Sequence, residues 1–284
     1  RSDASGPIYR SEYGVMGRPM RKRQGMNTSA VFGFTKLLRD IIIKEHPQYL
    51  GVAFDPKGGT FRNELFPAYK ANRSETPEDI IVAVPYIKRI LGAMHIPCLE
   101  VPGYEADDVI GTLSTKAAAA GYEVYMVTPD KAFGKLVGDN ISNYKQKRSG
   151  EGVEIVGRSQ LKEMYGIDNP RLVIDILALW GDAADNIPGV PGIGEKTAVK
   201  LVNEFGTVEA ILANADKLKG KQRENILAGQ EQLLLSKKLA TIATDVPLEF
   251  VPAQLQMEEP DCDALREVYG ELDFGMFLRE MDSG

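Results

Sequence analysis

The rhythm of apolar and polar positions changes once along the chain. In roughly the first two-thirds, short apolar runs alternate with stretches of helical period. "YLGVAFD" (49–55) and "IPCLEV" (96–101) are brief apolar runs, as buried parallel strands are. "TPEDIIVAVPYIKRILGAM" lies between them and opens like a helix, with Thr76 as N-cap, Pro77 in the first turn and acids behind. "YEADDVIGTLSTKAAAAGYEVYMVTPD" predicts a helix stopped at Gly121 and then a strand over 123–128. From about Arg158 the signals are nearly all helical: "SQLKEMYG", "PRLVIDILALWGD", "EKTAVKLVNEFG", "TVEAILAN" and "KQRENILAGQEQLLLSKKLATIA", with "VPLEF" as one late strand. This order predicts an α/β fold with a mostly parallel, doubly wound sheet, followed by a helical module packed on it. The boundary falls near 170, giving units 1–170 and 171–284.

Composition narrows the chemistry. The 284 residues are 43% hydrophobic and 26% charged, ordinary for a globular protein. No apolar run, including 172–180, is long enough to span a bilayer, and "RSDASGPIYR" has no apolar signal region, so no membrane partner and a cytoplasmic location are expected. Cys98 and Cys262 make no disulfide framework, and His46 and His95 stand in no zinc-like or triad-like spacing. Any chemistry then falls to carboxylates and hard metal ions. The net charge of −6 weighs mildly against nucleic acid, but basic residues cluster at 18–23, 145–148 and 217–223.

Acids recur at strand ends. Asp55 closes one run, Asp130 follows another, and Asp3 stands where a third would end. Active crevices of parallel sheets lie at those ends. "YEADD" adds Glu105, Asp107 and Asp108 at a helix start, where the helix dipole alone also favours acids. Crowded carboxylates repel unless cations intervene, and Mg²⁺ or Mn²⁺ prefers oxygen ligands. Two such ions about 3.5–4 Å apart can activate water against a phosphodiester.

"GDAADNIPGVPGIGEKTA" (181–198) places Asp182 and Asp185 directly before a glycine turn. It approaches a nucleotide-binding P-loop, but one residue too many separates the glycine from Lys196, and no strand precedes it.

Taken together, "FDPKGGTFRNELFPAYKANR", "TPEDI", "VPGYEADDVIGTL", "GYEVYMVTPDK" and "GDAADNIPGVPGIGEKTA" resemble the 5′-3′ exonuclease domain of bacterial DNA polymerase I, within the flap endonuclease superfamily. The resemblance runs from Asp3 to the end of the chain. It implies a PIN-like 5′ nuclease core with a helical arch over 58–80 and a helix-hairpin-helix motif at about 181–206. It implies metal ligation by Asp3, Asp55, Glu105, Asp107, Asp108, Asp130, Asp182 and Asp185, for two Mg²⁺ or Mn²⁺ ions. Lys70 and Arg62 take catalytic roles beside the scissile phosphate, with Arg62, Lys70 and Arg73 as phosphate contacts of the arch and Tyr69 as a base-stacking platform. Gly189, Gly192, Ile193 and Gly194 of the hairpin, with Lys196 and Lys200, meet the duplex backbone, and hairpin carbonyls hold K⁺. The implied activity is two-metal hydrolysis of DNA, and of RNA primers, at 5′ flaps and nicked or gapped duplex during replication and repair. The implied protein is a monomer, with a DNA polymerase fused or separate.

The sequence departs from that pattern twice. The family carries Asp-Lys-Asp where this chain has Asp130, Lys131 and Ala132, so an acid of the second metal is missing and weakened cleavage is expected. Only Arg1 and Ser2 precede Asp3, so the first strand is expected to be truncated. A catalytically disabled binder of branched DNA is the alternative that Ala132 favours.

Overall fold

The computed structural model describes residues 2–3, 28–70, 78–128, 131–147 and 152–283, with 2–3, 78–80 and 131–133 described by backbone alone. The expected metal ligand Asp130, the expected phosphate contact Arg73 and the helix-starting Thr76 and Pro77 lie outside the described residues, as do the side chains of Asp3 and Ala132.

Three short strands, β1 (Ser2–Asp3), β2 (Val52–Ala53) and β3 (Cys98–Leu99), pair in parallel in that order, with Asp3 opposite Ala53. The ladder is thus formed at the backbone of Asp3 itself. β2 is buried on both faces, and its alternation sorts the core. Val52 and Phe54 belong to a cluster with the first long helix, α1 (Ser29–Glu45), whereas Ala53 belongs to a second cluster. α1 buries Ala30, Val31, Phe34, Leu38 and Ile41 at helical spacing, and stops at His46 in the left-handed region, ahead of Pro47. After the one-turn α2 (Phe61–Leu65), α3 (Glu78–Ala93) joins α1 on this side of the sheet. The opposite side is covered by α4 (Ala106–Ala119) through Val109, Ile110 and Leu113. Helices on both faces of parallel strands are the doubly wound arrangement that the alternation predicted.

A second ladder follows. β4 (Val124–Met126) pairs in parallel with β5 (Ile141–Gln146), which turns back antiparallel on β6 (Val153–Val156). This β5–β6 hairpin carries no strong apolar alternation and was not expected. Short helices follow: α5 (Arg158–Tyr165), α6 (Leu172–Trp180), α7 (Glu195–Phe205), α8 (Val208–Ala213), α9 (Gly220–Ala228) and α10 (Gln230–Ala240). The helical stretch expected over 221–243 is two helices, α9 and α10, with Gly229 between them. α6 is apolar nearly all round and packs between α7 and α10. Its one acid, Asp175, is 3% exposed and accepts from the Val208 amide and Lys237 Nζ, each at 2.8 Å.

The expected strand at 246–250 does not form. Pro247 has no amide to give a ladder, and Val246 instead buries against α4 with its N–H on Thr112 Oγ1 at 3.2 Å. After the single turn α11 (Pro252–Leu255), α12 (Cys262–Glu271) and α13 (Gly275–Asp282) return to α1 and α3, inserting Leu265, Val268, Tyr269, Phe274 and Phe277. No helix among the described residues is long and apolar enough to cross a membrane.

Candidate active site

The N-terminus of α4 gathers the acids. Its open amides draw carboxylates: Asp55, just beyond β2, accepts the Ala106 N–H at 2.8 Å, and Asp108 reaches back to the Glu105 N–H at 3.0 Å. Glu105 is the N-cap residue and Asp107 lies in the first turn. Parallel strands and the helix dipole therefore bring Asp3, Asp55 and the "YEADD" acids to one end of the sheet, with Asp3 brought there by its backbone pairing.

Arg62 of α2 enters this cluster from the side and is 1% exposed. Nη1 and Nη2 fork onto Asp108 at 2.7 and 2.8 Å, and Nη1 also meets Glu105 Oε2 at 2.5 Å. Nε and Nη2 cap the carbonyls of Leu239 and Thr241 at 2.8 and 2.6 Å. The guanidinium lies 4.4 Å from the Phe61 ring centroid. Every donor is spent inside the protein, so the expectation that Arg62 contacts phosphate is corrected. It is a strut tying α2 to α4 and to the end of α10. Asp108 is corrected with it: 0% exposed, its oxygens take Arg62, the Glu105 amide and the Ala243 amide, leaving no position for a metal. Tyr69, expected to stack on a base, is 5% exposed, packs in the core of the helical module and donates its hydroxyl to Glu105 at 3.1 Å. Burial drives its phenol well above the usual value.

Lys70 is the cation that faces the remaining acids. Its Nζ touches Glu105 Oε1 and lies 4.0 Å from Asp185 Oδ1. Burial alone would lower the ammonium and raise the carboxyl. Instead Glu105, helped by Tyr69, Asp185 and Asp55, holds Lys70 well above the usual lysine value, while Lys70 and then Arg62 hold Glu105 down at about 2. Lys70 keeps its position with a left-handed backbone, φ +58°.

The 181–189 loop explains its own spelling. Gly189 (φ +66°) lies so close to Gly181 that a Cβ would stand 2.7 Å from the Gly181 nitrogen. That contact closes the loop, and Asp182 and Ile187 exchange both backbone hydrogen bonds at 3.0 and 2.9 Å. Asp182 caps the short 3₁₀ turn Ala183–Asp185 through the Ala184 N–H at 3.1 Å. Asp185 is then turned to Lys70, whose N–H donates to the Asp185 carbonyl at 2.8 Å.

Beyond the loop, Gly192 (φ +81°) and Gly194 are exposed, and Lys196 and Lys200 stand exposed one turn apart on α7. Two hairpin expectations are corrected. The Gly189 amide is buried on Ser236 Oγ at 3.2 Å, and Ile193 buries its side chain while donating its N–H to the Val190 carbonyl at 3.1 Å. Neither can offer an amide to phosphate. α9 touches the hairpin through Asn225 Nδ2 on the Pro191 carbonyl at 3.1 Å.

Among the described residues, no three acidic, histidine or cysteine side chains converge tightly enough to enclose a metal ion. The Lys70 ammonium instead touches Glu105 and lies 4.0 Å from Asp185 Oδ1, and the Asp55 charge adds to the field that keeps it protonated. Sequence reading missed Asn186, whose side chain bridges to the Ala68 carbonyl; its signal was an asparagine at the end of a turn ahead of Ile-Pro-Gly.

The family described as 5′-3′ exonuclease, N-terminal resolvase-like domain, matches residues 2–166, and the 5′-3′ exonuclease, C-terminal SAM fold, matches 168–263. A 5′-3′ exonuclease of Aquifex aeolicus (strain VF5) is 37% identical over 99% of this chain and 93% of its own length. DNA polymerase I of Bacillus caldotenax is 39% identical over 99% of this chain but 32% of its own length, so the chain spans about a third of that relative. Among solved structures, a bacteriophage T5 flap endonuclease in a pseudo-enzyme–product complex with DNA and metal ions shares the fold, with a TM-score of 0.65 at 21% identity over 100% of this chain and 98% of the other. The chain belongs to the 5′-3′ exonuclease family.

Proposed function

We propose that this chain is a divalent-metal-dependent 5′-3′ exonuclease and 5′-flap endonuclease, hydrolysing phosphodiesters in flapped, nicked or gapped DNA and in RNA primers. The observation that carries the reading is the Lys70 ammonium set among Glu105, Asp185 and Asp55 at the carboxyl end of parallel strands. Oxygen donors that already gather around one hard cation fit Mg²⁺ or Mn²⁺. Asp55, Glu105, Asp107, Asp182 and Asp185 would hold the ions, with Asp3 and Asp130 completing the set that the family resemblance implies. Bound there, the ions supply a water nucleophile and neutralise the leaving oxygen. Lys70 offsets charge building on the scissile phosphate, and the buried Arg62–Asp108 pair keeps Glu105 aimed.

Exposed Gly192, Gly194, Lys196 and Lys200 suit the phosphate backbone of a duplex, and the hairpin carbonyls suit K⁺. The polymerase relatives support a role beside a DNA polymerase, fused or separate, in replication and repair. A monomer in the cytoplasm completes the reading.

The experiment is incubation of the chain with a labelled 5′-flap duplex and Mg²⁺ or Mn²⁺, beside its Ala132→Asp variant. Cleavage that rises in the variant supports the reading; no cleavage by either protein sinks it. Ala132 favours one second reading, a flap binder without turnover, which binding without cleavage by the unsubstituted chain would support.

A further inference from the structure

Two segments 118 residues apart are stitched together where the proposed chemistry sits. Asn186 Nδ2 donates to the Ala68 carbonyl at 2.7 Å, and the Lys70 N–H donates to the Asp185 carbonyl at 2.8 Å. The two bonds run in opposite directions between the base of the arch and the closed loop. On either side of them, Lys70 and Asn186 both have left-handed backbones, at φ +58° and +57°. A lysine in that region is held against its preference, because its Cβ crowds the following carbonyl oxygen. Released from this pair of bonds, the chain after Tyr69 would relax to a negative φ and carry Nζ away from Glu105 and Asp185.

We propose that Asn186 is a positioning residue for Lys70, using its side-chain amide to fix the backbone from which the lysine reaches the acids. The residue type fits the task closely. Asparagine tolerates the left-handed region and still carries a donor. Aspartate tolerates the region but would turn an acceptor toward the Ala68 carbonyl. Glycine tolerates it and has no side chain. The competing role, ending the 3₁₀ turn with its N–H on the Ala183 carbonyl at 3.2 Å, needs only the backbone and survives in glycine.

The inference rests on the catalytic reading of Lys70, and Asn186→Gly separates the two roles because it keeps the turn and removes the amide. In the full chain on a 5′-flap duplex, Asn186→Gly is expected to lower kcat about 10–100-fold with KM within about threefold, as misplacing a charge-bearing group does. In a Lys70→Ala background the same substitution should change kcat less than about twofold, since its effect passes through Lys70. A readout independent of turnover is the acylation rate of each lysine, followed by mass spectrometry. Lys70 should label several-fold faster in Asn186→Gly, while exposed Lys196 and Lys219 keep their rates. Unchanged Lys70 labelling, or equal fold-losses with and without Lys70, overturns the inference. Failure of both the unsubstituted chain and Ala132→Asp to cleave overturns the proposed function instead, and the labelling result then decides the placement of Lys70 by itself.

Discussion

Replacing Arg62 tests whether this arginine is a strut or a phosphate contact. At 1% exposure it makes five hydrogen bonds, two of them a fork on an Asp108 that is itself 0% exposed. Arg62→Ala leaves the Asp108 charge buried with only two backbone amides, and leaves the Leu239 and Thr241 carbonyls without their donor. Breaking one side of a buried ion pair costs about 3–5 kcal/mol, the larger part being the stranded charge. For a chain of this size that corresponds to a fall in Tm of roughly 6–15 °C. Arg62→Lys keeps the charge but not the planar fork, and is expected to lose about half as much. Adding Asp108→Asn to Arg62→Ala removes the stranded charge and should recover at least about 1 kcal/mol, so the two changes are non-additive. Urea unfolding followed by circular dichroism measures all of these. A stability loss below about 1 kcal/mol for Arg62→Ala, together with weakened flap binding, would refute the strut and restore the phosphate contact.

Three further outcomes follow from the same site. Glu105 is held at about 2, below the ordinary glutamate value, so its contribution to stability is complete above about pH 4.3 and is lost as pH falls toward 2. That contribution is on the order of 3 kcal/mol, and Glu105→Gln should flatten the acid limb of stability against pH in that window; an unchanged limb contradicts the assignment. Gly189→Ala puts a Cβ 2.7 Å from the Gly181 nitrogen at a positive φ and is expected to cost more than about 2 kcal/mol, while Gly194→Ala, with open space at its Cβ and φ −93°, should stay within about 1 kcal/mol by thermal unfolding. Lys196→Ala with Lys200→Ala should reduce the slope of log affinity for duplex against log salt by about 1.8, and an unchanged slope removes both lysines from the backbone contact.

How much of this was legible follows from which forces are local. The apolar runs at 49–55, 96–101 and 123–128 predicted parallel strands, most clearly at β2, where burial on both faces leaves a continuous apolar run, and Asp3 and Asp55 fell at one end of that sheet by topology alone. The bracketing of Asp182 and Asp185 by Gly181 and Gly189 was visible as spelling, though not the contact that makes both glycines necessary. Pair partners were not legible. Nothing local distinguishes Asp107 from Asp108, yet helix geometry turns Asp108 inward to Arg62, so one acid of "YEADD" is structural. Arg62 and Tyr69 looked like arch residues because basic and aromatic side chains suit nucleic acid. Their burial depends on carbonyls at 239 and 241 and on a core built from residues after 136, which no spacing near 62 reveals. The strand expected at 246–250 failed for a similar reason: α4 offered Val246 a burial site without a ladder.

The most direct test of the central claim is single-turnover cleavage of a 5′-flap duplex with Mg²⁺ or Mn²⁺ by the chain, its Lys70→Ala variant and its Ala132→Asp variant. The expected result is metal-dependent cleavage near the flap junction, slowed at least about 100-fold by Lys70→Ala with flap affinity nearly kept, and accelerated by Ala132→Asp. Cleavage that Lys70→Ala leaves at full rate, or none from either the chain or Ala132→Asp, would contradict it.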